Sequence, residues 1–167
     1  MPKSKRIKQF YLNGNLHRVV HVNRAKDLVT AYDFVERKMK LYPWSMVKRE
    51  KQNAFTITEA AKLVDRHRDR IIEYLENGDI EYPQREHNPD TGNPGRFFFS
   101  EDDMMDLRDF MATIHIGRPR NDGRVTNNRV PNREEFRAMI QTGRVLYVKE
   151  EGPDGGKFVP VWRAEDW

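Results

Sequence analysis

From Ala54 the spacing of apolar residues changes from the alternation of strands to the three-and-four spacing of helices, and it reverts before it resumes. Thr56-Ile57-Thr58-Glu59 has the form of a capping box, in which a threonine hydroxyl and a glutamate three residues on satisfy the free amides of a helix start. Ile57, Ala60, Ala61 and Val64 then share one helical face. A break at Asp65-Arg66 leads to a second helix with Ile71, Tyr74 and Leu75 on one side, closed by Asn77-Gly78. Ile80 to Gln84 can pair with Arg96 to Phe99 across the loop Asn88 to Gly95. Ser100 with Asp103 caps a third helix whose stripe is Met104, Leu107, Phe110 and Met111. Residues 54–113 thus read as helix, turn, helix, hairpin, helix.

The residues on either side follow other patterns. Phe10-Tyr11-Leu12 precedes Asn13-Gly14-Asn15, and Asn-Gly between apolar runs is a strong hairpin signal. Leu16 to Val22, Leu28 to Val35 and Arg37 to Tyr42 supply further strands, and Pro43 to Val47 a helical turn opened by proline. This spacing predicts a small β-barrel-like domain of SH3 or Tudor type over 1–53. Residues 114–131 form a basic Arg/Asn linker. Over 132–167, Asn132 caps a short helix ended by Thr142-Gly143, and Val145 to Lys149 pairs with Phe158 to Trp162 as a hairpin. The expected class is α+β: a central winged helix-turn-helix flanked by an N-terminal β-barrel-like domain and a C-terminal helix plus β-hairpin.

The central block supports a resemblance. Thr56 to Val64, then Arg70-Ile71-Ile72-Glu73-Tyr74-Leu75-Glu76-Asn77-Gly78-Asp79-Ile80, and then Arg96-Phe97-Phe98-Phe99-Ser100-Glu101-Asp102-Asp103 resemble the winged helix-turn-helix of the excisionase and MerR-like superfamily. The resemblance covers about a third of the chain and implies DNA binding, as in excisionases, transcription regulators and phage terminase small subunits. It also shows departures. Asp65 stands where the family usually has a turn glycine, Arg66 where it has an apolar residue, and His67 where it has a serine or threonine cap.

A first helix braces a second whose end enters the major groove, while a wing tip reaches neighbouring backbone. The candidate DNA-binding residues of the second helix are therefore Arg66, His67, Arg68 and Arg70, with Asp69, Arg70 and Glu73 facing outward. Arg85 and Arg96 flank the wing and are candidates for phosphate. Gly117-Arg118-Pro119-Arg120 resembles an AT-hook core, which would lay Arg118 and Arg120 along a narrow minor groove, although Ile116 replaces the usual preceding arginine. The plainer alternatives are a solvated, ion-paired helix face, ordinary strand-end solvation and a basic linker.

Charge is unevenly spread. Residues 1–55 carry 13 Lys/Arg against 4 Asp/Glu, residues 56–113 carry 7 against 14, and residues 114–167 carry 10 against 8. A basic first third, with Lys3, Lys5, Arg6 and Lys8 as an arm, suits a polyanion. With no cysteine there is no thiolate site, and His17, His21, His67, His87 and His115 are too scattered to suggest zinc, so neither metal nor cofactor is expected. No phosphate loop, nucleophile elbow or paired-acid motif points to an enzyme or a small-molecule substrate. No apolar run suits a membrane, and Met1 to Lys8 lacks a signal-peptide core, so a cytoplasmic location is expected, the host's if the protein is viral. The expected partner is double-stranded DNA, with a second copy or another protein beside it. The role that follows is a phage or mobile-element regulatory or accessory factor, a transcription regulator or excisionase-like protein. The alternative is a structural or DNA-packaging assembly protein, similar to a terminase small subunit, acting through protein contacts.

Overall fold

The computed structural model describes residues 7–49, 53–114, 130–150 and 156–163 of the 167-residue chain. The fold is mixed α and β, and it divides into two compact units: Met1–Thr56 with Tyr82–Ser100, and Ile57–Glu81 with Glu101–Trp167. The expected central block is therefore shared, since Tyr82–Ser100 belongs with the amino-terminal strands.

The first unit is built on an antiparallel meander of β1 (Gln9–Leu12), β2 (Asn15–Asn23), β3 (Leu28–Asp33) and β4 (Lys38–Pro43), in that spatial order. Asn13 and Gly14 both take positive φ, 52° and 78°, which is the twist a two-residue hairpin needs. The sheet is linear, with β1 and β4 at its edges, rather than closed on itself among the described residues. One face packs Phe10, Val29 and Ala31 on Val47 of α1 (Trp44–Arg49). The other packs Tyr11, Leu16 and Tyr32 against Phe34, Ala54 and Phe98. Full burial of an aliphatic such as Leu16 contributes about 1.5–3 kcal/mol.

The second half of that cover comes from β5 (Arg85–His87) and β6 (Pro94–Phe97). Pairing here begins at Gln84, whose carbonyl accepts from the Phe98 amide, and not at Ile80. Pro83 supplies no N–H, so a ladder cannot run through it. The Gln84 side chain instead ties back to the first hairpin, accepting from the Leu16 amide at 2.8 Å and donating to the Gly14 carbonyl. The Tyr11 hydroxyl donates to the Phe98 carbonyl, and Phe55 and Phe99 exchange both backbone hydrogen bonds, at 2.9 and 2.7 Å.

Among the described residues of this unit, His17, Asp33 and Glu86 are buried. Asp33 accepts from the Val35 and Glu36 amides through Oδ1 and from Asn15 Nδ2 and Lys40 Nζ through Oδ2. Burial alone would raise its carboxyl, but the Lys40 ammonium, the two amides and Asn15 outweigh that and hold it well below the usual carboxylate range. His17 stacks on Phe10 at 4.9 Å, donates from Nδ1 to the Asn15 carbonyl and accepts at Nε2 from the Tyr42 hydroxyl. Burial lowers its pKa, against the raising pull of Asn15 and Asp33. Glu86 is held by Gln9 Nε2 at 3.4 Å and faces Arg18 at 3.6 Å, but its Oε2 has no hydrogen-bond partner. Burial pushes this carboxyl up, and nearby Arg18, Gln9 and Arg96 only partly offset it.

In the second unit, α2 (Ile57–Leu63), α3 (Arg68–Glu76), α4 (Glu101–Ile114) and α5 (Arg133–Thr142) bury Ala60, Leu63, Ile71, Leu75, Met104, Leu107, Met111, Phe136, Met139 and Ile140. Asn132 caps α5 in a reciprocal pair with Glu135, as the sequence suggests, and Gly143 ends it. Arg108 donates to the Pro131 carbonyl and Arg133 pairs with Asp109, which fixes the start of α5 on α4. A short hairpin, β7 (Tyr147–Glu150) and β8 (Lys157–Pro160), leads into a 3-10 turn carrying Trp162, which is buried edge-on to Phe136. No helix among the described residues is long and apolar enough to cross a membrane.

Two titration predictions follow. His17 and Asp33 both have folded pKa values below their ordinary ones, 6.5 and 3.8, so the unfolded chain takes up protons first. Their stabilisation is complete above pH 6.5 and falls in two stages, first through the histidine and then through the carboxylate range. Urea midpoints measured from pH 8 to pH 3 should show both, and His17→Gln should flatten the upper stage. Glu86 works in the opposite sense: its raised pKa means that its burden grows as pH rises. Glu86→Gln should raise the urea midpoint more at pH 8 than at pH 4, and an equal change at both would refute the assignment.

Candidate nucleic-acid interface

The α2–α3 corner is specified residue by residue. Asp65 takes φ +52°, a left-handed value that glycine adopts without cost and aspartate tolerates. Its amide donates to the Lys62 carbonyl and the Arg66 amide to the Ala61 carbonyl, the paired bonds of a Schellman stop. Trp162 Nε1 donates to the Leu63 carbonyl at 2.7 Å, satisfying another acceptor at the end of α2 from 99 residues away. His67 then caps α3 with extended backbone, its Nδ1 accepting from the Asp69 amide at 3.3 Å. An imidazole thus does the work usually given to serine or threonine. At the far end Gly78, φ +77°, closes α3 through the Asp79 and Gly78 amides to Tyr74 and Leu75.

This geometry fixes which side chains α3 presents. Ile71 and Leu75 face inward, and Tyr74 packs edge-on to Phe110 of α4 at 4.9 Å. Arg66, His67, Arg68, Asp69 and Arg70 are all exposed. Arg70 reaches Glu73 at 3.1 Å, with both side chains more than half exposed, so the pair is weakly held and can be exchanged for another anion. His67 Nδ1 lies 3.3 Å from an Asp69 carboxylate oxygen. Four of the expected site residues therefore share the turn and the first turn of α3.

Of the other four, two belong to the first unit and two lie outside the described residues. Arg85 and Arg96 lie on β5 and β6 in the first unit, both exposed, with the Arg85 guanidinium 5.6 Å from the Phe97 ring centre. Arg118 and Arg120 lie outside the described residues, as do Lys3, Lys5 and Arg6 of the expected basic arm. The hairpin loop is ordered by Asn88, whose Oδ1 accepts from the Asp90 and Thr91 amides.

Unit boundaries also redistribute charge. The first unit carries 15 Lys/Arg against 6 Asp/Glu, and the second carries 15 against 20. Exposed Arg18, Arg24, Lys26, Arg37 and Lys38 accompany Arg85 and Arg96 in the basic unit. Sequence reasoning named the basic block but not these strand and turn residues, because exposure depends on which sheet face is covered. Among the described residues no three His, Cys, Asp or Glu are placed to hold a metal ion. The Asp33–His17–Tyr42 cluster is sealed from solvent on its Asp and His, so it is placed to hold strands together rather than to meet a substrate.

His67→Ser should strengthen the α3 cap by about 0.5–1 kcal/mol, read as a higher urea midpoint. A lower midpoint would show that the imidazole has a further structural role.

Comparison with protein-family models, curated proteins and solved structures returns no match to this chain.

Proposed function

We propose that the chain binds double-stranded DNA, with α2, the Asp65 turn and α3 acting as a helix-turn-helix and α3 as its recognition helix. In this reading the β5–β6 hairpin serves as the wing, and the protein is a regulatory or accessory factor of a phage or mobile element. The observation that carries it is the corner itself. A left-handed turn and a capped helix start leave Arg66 in the turn and Arg68 and Arg70 in the first turn of α3 all exposed, while Ile71 and Leu75 of the same helix are buried. Arginine at the start of such a helix is chemically suited to guanine O6 and N7. Arg85 and Arg96 supply phosphate contacts. The acidic count of the second unit is offset by the first, whose net positive charge provides long-range attraction to the duplex.

Selection of bound sequences from a random duplex pool tests this directly. A preferred site should emerge, and binding should weaken steeply with salt. On that site Arg68→Ala and Arg70→Ala should each cost about 1–3 kcal/mol in an anisotropy titration, with nonspecific duplex affected far less. No enrichment, or full affinity in both variants, would sink the reading.

A second reading, an assembly protein that works through protein contacts, has one observation in its favour. Leu41 and Met39 on the edge strand β4 are 66% and 54% exposed, which is uncommon for apolar residues on a sheet face without a partner. A protein that shows no duplex affinity at moderate salt yet purifies in a stoichiometric complex would favour it.

A further inference from the structure

Three aromatic rings form a ladder from the core of the first unit to its surface. Phe99 is buried, Phe97 on β6 is partly exposed, and Tyr82 is 57% exposed. Each stands edge-on to the next, with ring centres 5.9 Å apart from Phe99 to Phe97 and 6.3 Å apart from Phe97 to Tyr82. Phe99 anchors the ladder through its paired backbone hydrogen bonds with Phe55. Tyr82 is followed by Pro83, which is itself buried. An outer ring set against packed neighbours in this way has little freedom left to lose when a flat ligand covers it.

The charged side chain on this face of the hairpin is a cation. Arg85 lies directly opposite Phe97 in the strand register, so the two share a face, and its guanidinium is 5.6 Å from the centre of the Phe97 ring. Arg85 is exposed and has no carboxylate partner among the described residues. Glu86, the next residue, is buried on the other side of β5, where it meets Gln9 and Arg18. The unit as a whole carries 15 Lys/Arg against 6 Asp/Glu. Glu81, exposed and adjacent to Tyr82 in the chain, is the local exception.

An exposed ring beside an unpaired guanidinium suits a ligand that is both flat and anionic. A nucleotide has both properties: its base can stack on the ring, and its phosphate can pair with the arginine. Base faces are covered by their neighbours in a duplex, so a ring of this kind selects an unpaired strand. An acidic peptide would engage Arg85 but not the ring face. We propose that the Tyr82–Arg85–Phe97 face binds unpaired nucleic acid, a base stacking on Tyr82 and the adjoining phosphate pairing with Arg85. This goes beyond the duplex reading, which is carried by α3, and does not rest on it.

Anisotropy titrations of the full chain test it with a labelled oligothymidylate of about 12 nucleotides and an abasic strand of the same length. The two strands carry equal charge, so their difference reads stacking. The base-bearing strand should bind about tenfold more tightly. Tyr82→Ala should abolish that difference and leave the affinity for the abasic strand unchanged, whereas Tyr82→Trp should retain it. Arg85→Ala should weaken both strands and reduce the salt slope by about 0.7. Tyr82 is exposed, so the thermal melts of its variants should match the wild type. Equal affinity for the two strands overturns the proposal, as does a difference that survives Tyr82→Ala. Failure to bind either strand overturns it too, and would leave the face to a protein partner. The duplex reading is tested on its own selected site, so the two can fail separately.

Discussion

Phe55 and Phe99 exchange two backbone hydrogen bonds across 44 positions of the chain, and the exchange joins the segment that carries Phe98 to the amino-terminal part of the first unit. Residues 82–100 are tied to the amino-terminal sheet by this bridge, the Gln84 side chain, the Tyr11 hydroxyl and the contacts of Glu86 with Gln9 and Arg18. The α2–α3 segment, Ile57 to Glu81, stands in the chain between the two segments of the first unit. Phe98 and Phe99 are buried by the same event, so the hydrogen bonds and the apolar cover form together.

The first unit also illustrates how differently three buried ionisable groups can be accommodated. Asp33 is fully satisfied by two amides, an asparagine and a lysine, and its charge is favoured where it lies. His17 is satisfied as a neutral ring. Glu86 has one oxygen without a hydrogen bond, so it is the point where cover and sheet are least well matched. Such a group costs stability at neutral pH, and that cost falls on β5, the strand that also carries Arg85. α3 lies in the unit with more acidic than basic residues, 20 against 15, while the other unit carries 15 basic against 6 acidic.

Much of the local structure was legible in the residues. Asn13-Gly14, Asn77-Gly78 and Asn132 mark a hairpin, a helix stop and a helix start, and the structure has each at that place. The outward set on α3 followed from helical phase, with Ile71 and Leu75 inside. The substitutions at Asp65 and His67 kept the turn and the cap, because aspartate tolerates left-handed backbone and imidazole nitrogen can accept from an amide. The expected pairing of Ile80 to Gln84 did not form, since Pro83 interrupts it, and the expected barrel is a linear four-stranded sheet. Arg118 and Arg120 were named for a minor-groove arm that lies outside the described residues.

What the sequence determined by itself was the succession of elements and their caps, because these depend on backbone preferences within a few residues. Tertiary structure decided the partnerships. Gln84 reaches Gly14 and Trp162 closes the end of α2 only once distant segments have been brought together. It also decided that the strands bearing Arg85 and Arg96 belong to the unit of the first sheet and not to that of the helix before them in the chain. Spacing along a sequence records which residues can share a face. Which faces are then covered is set by long-range contacts, whose loop-closure cost and burial gain no local pattern encodes.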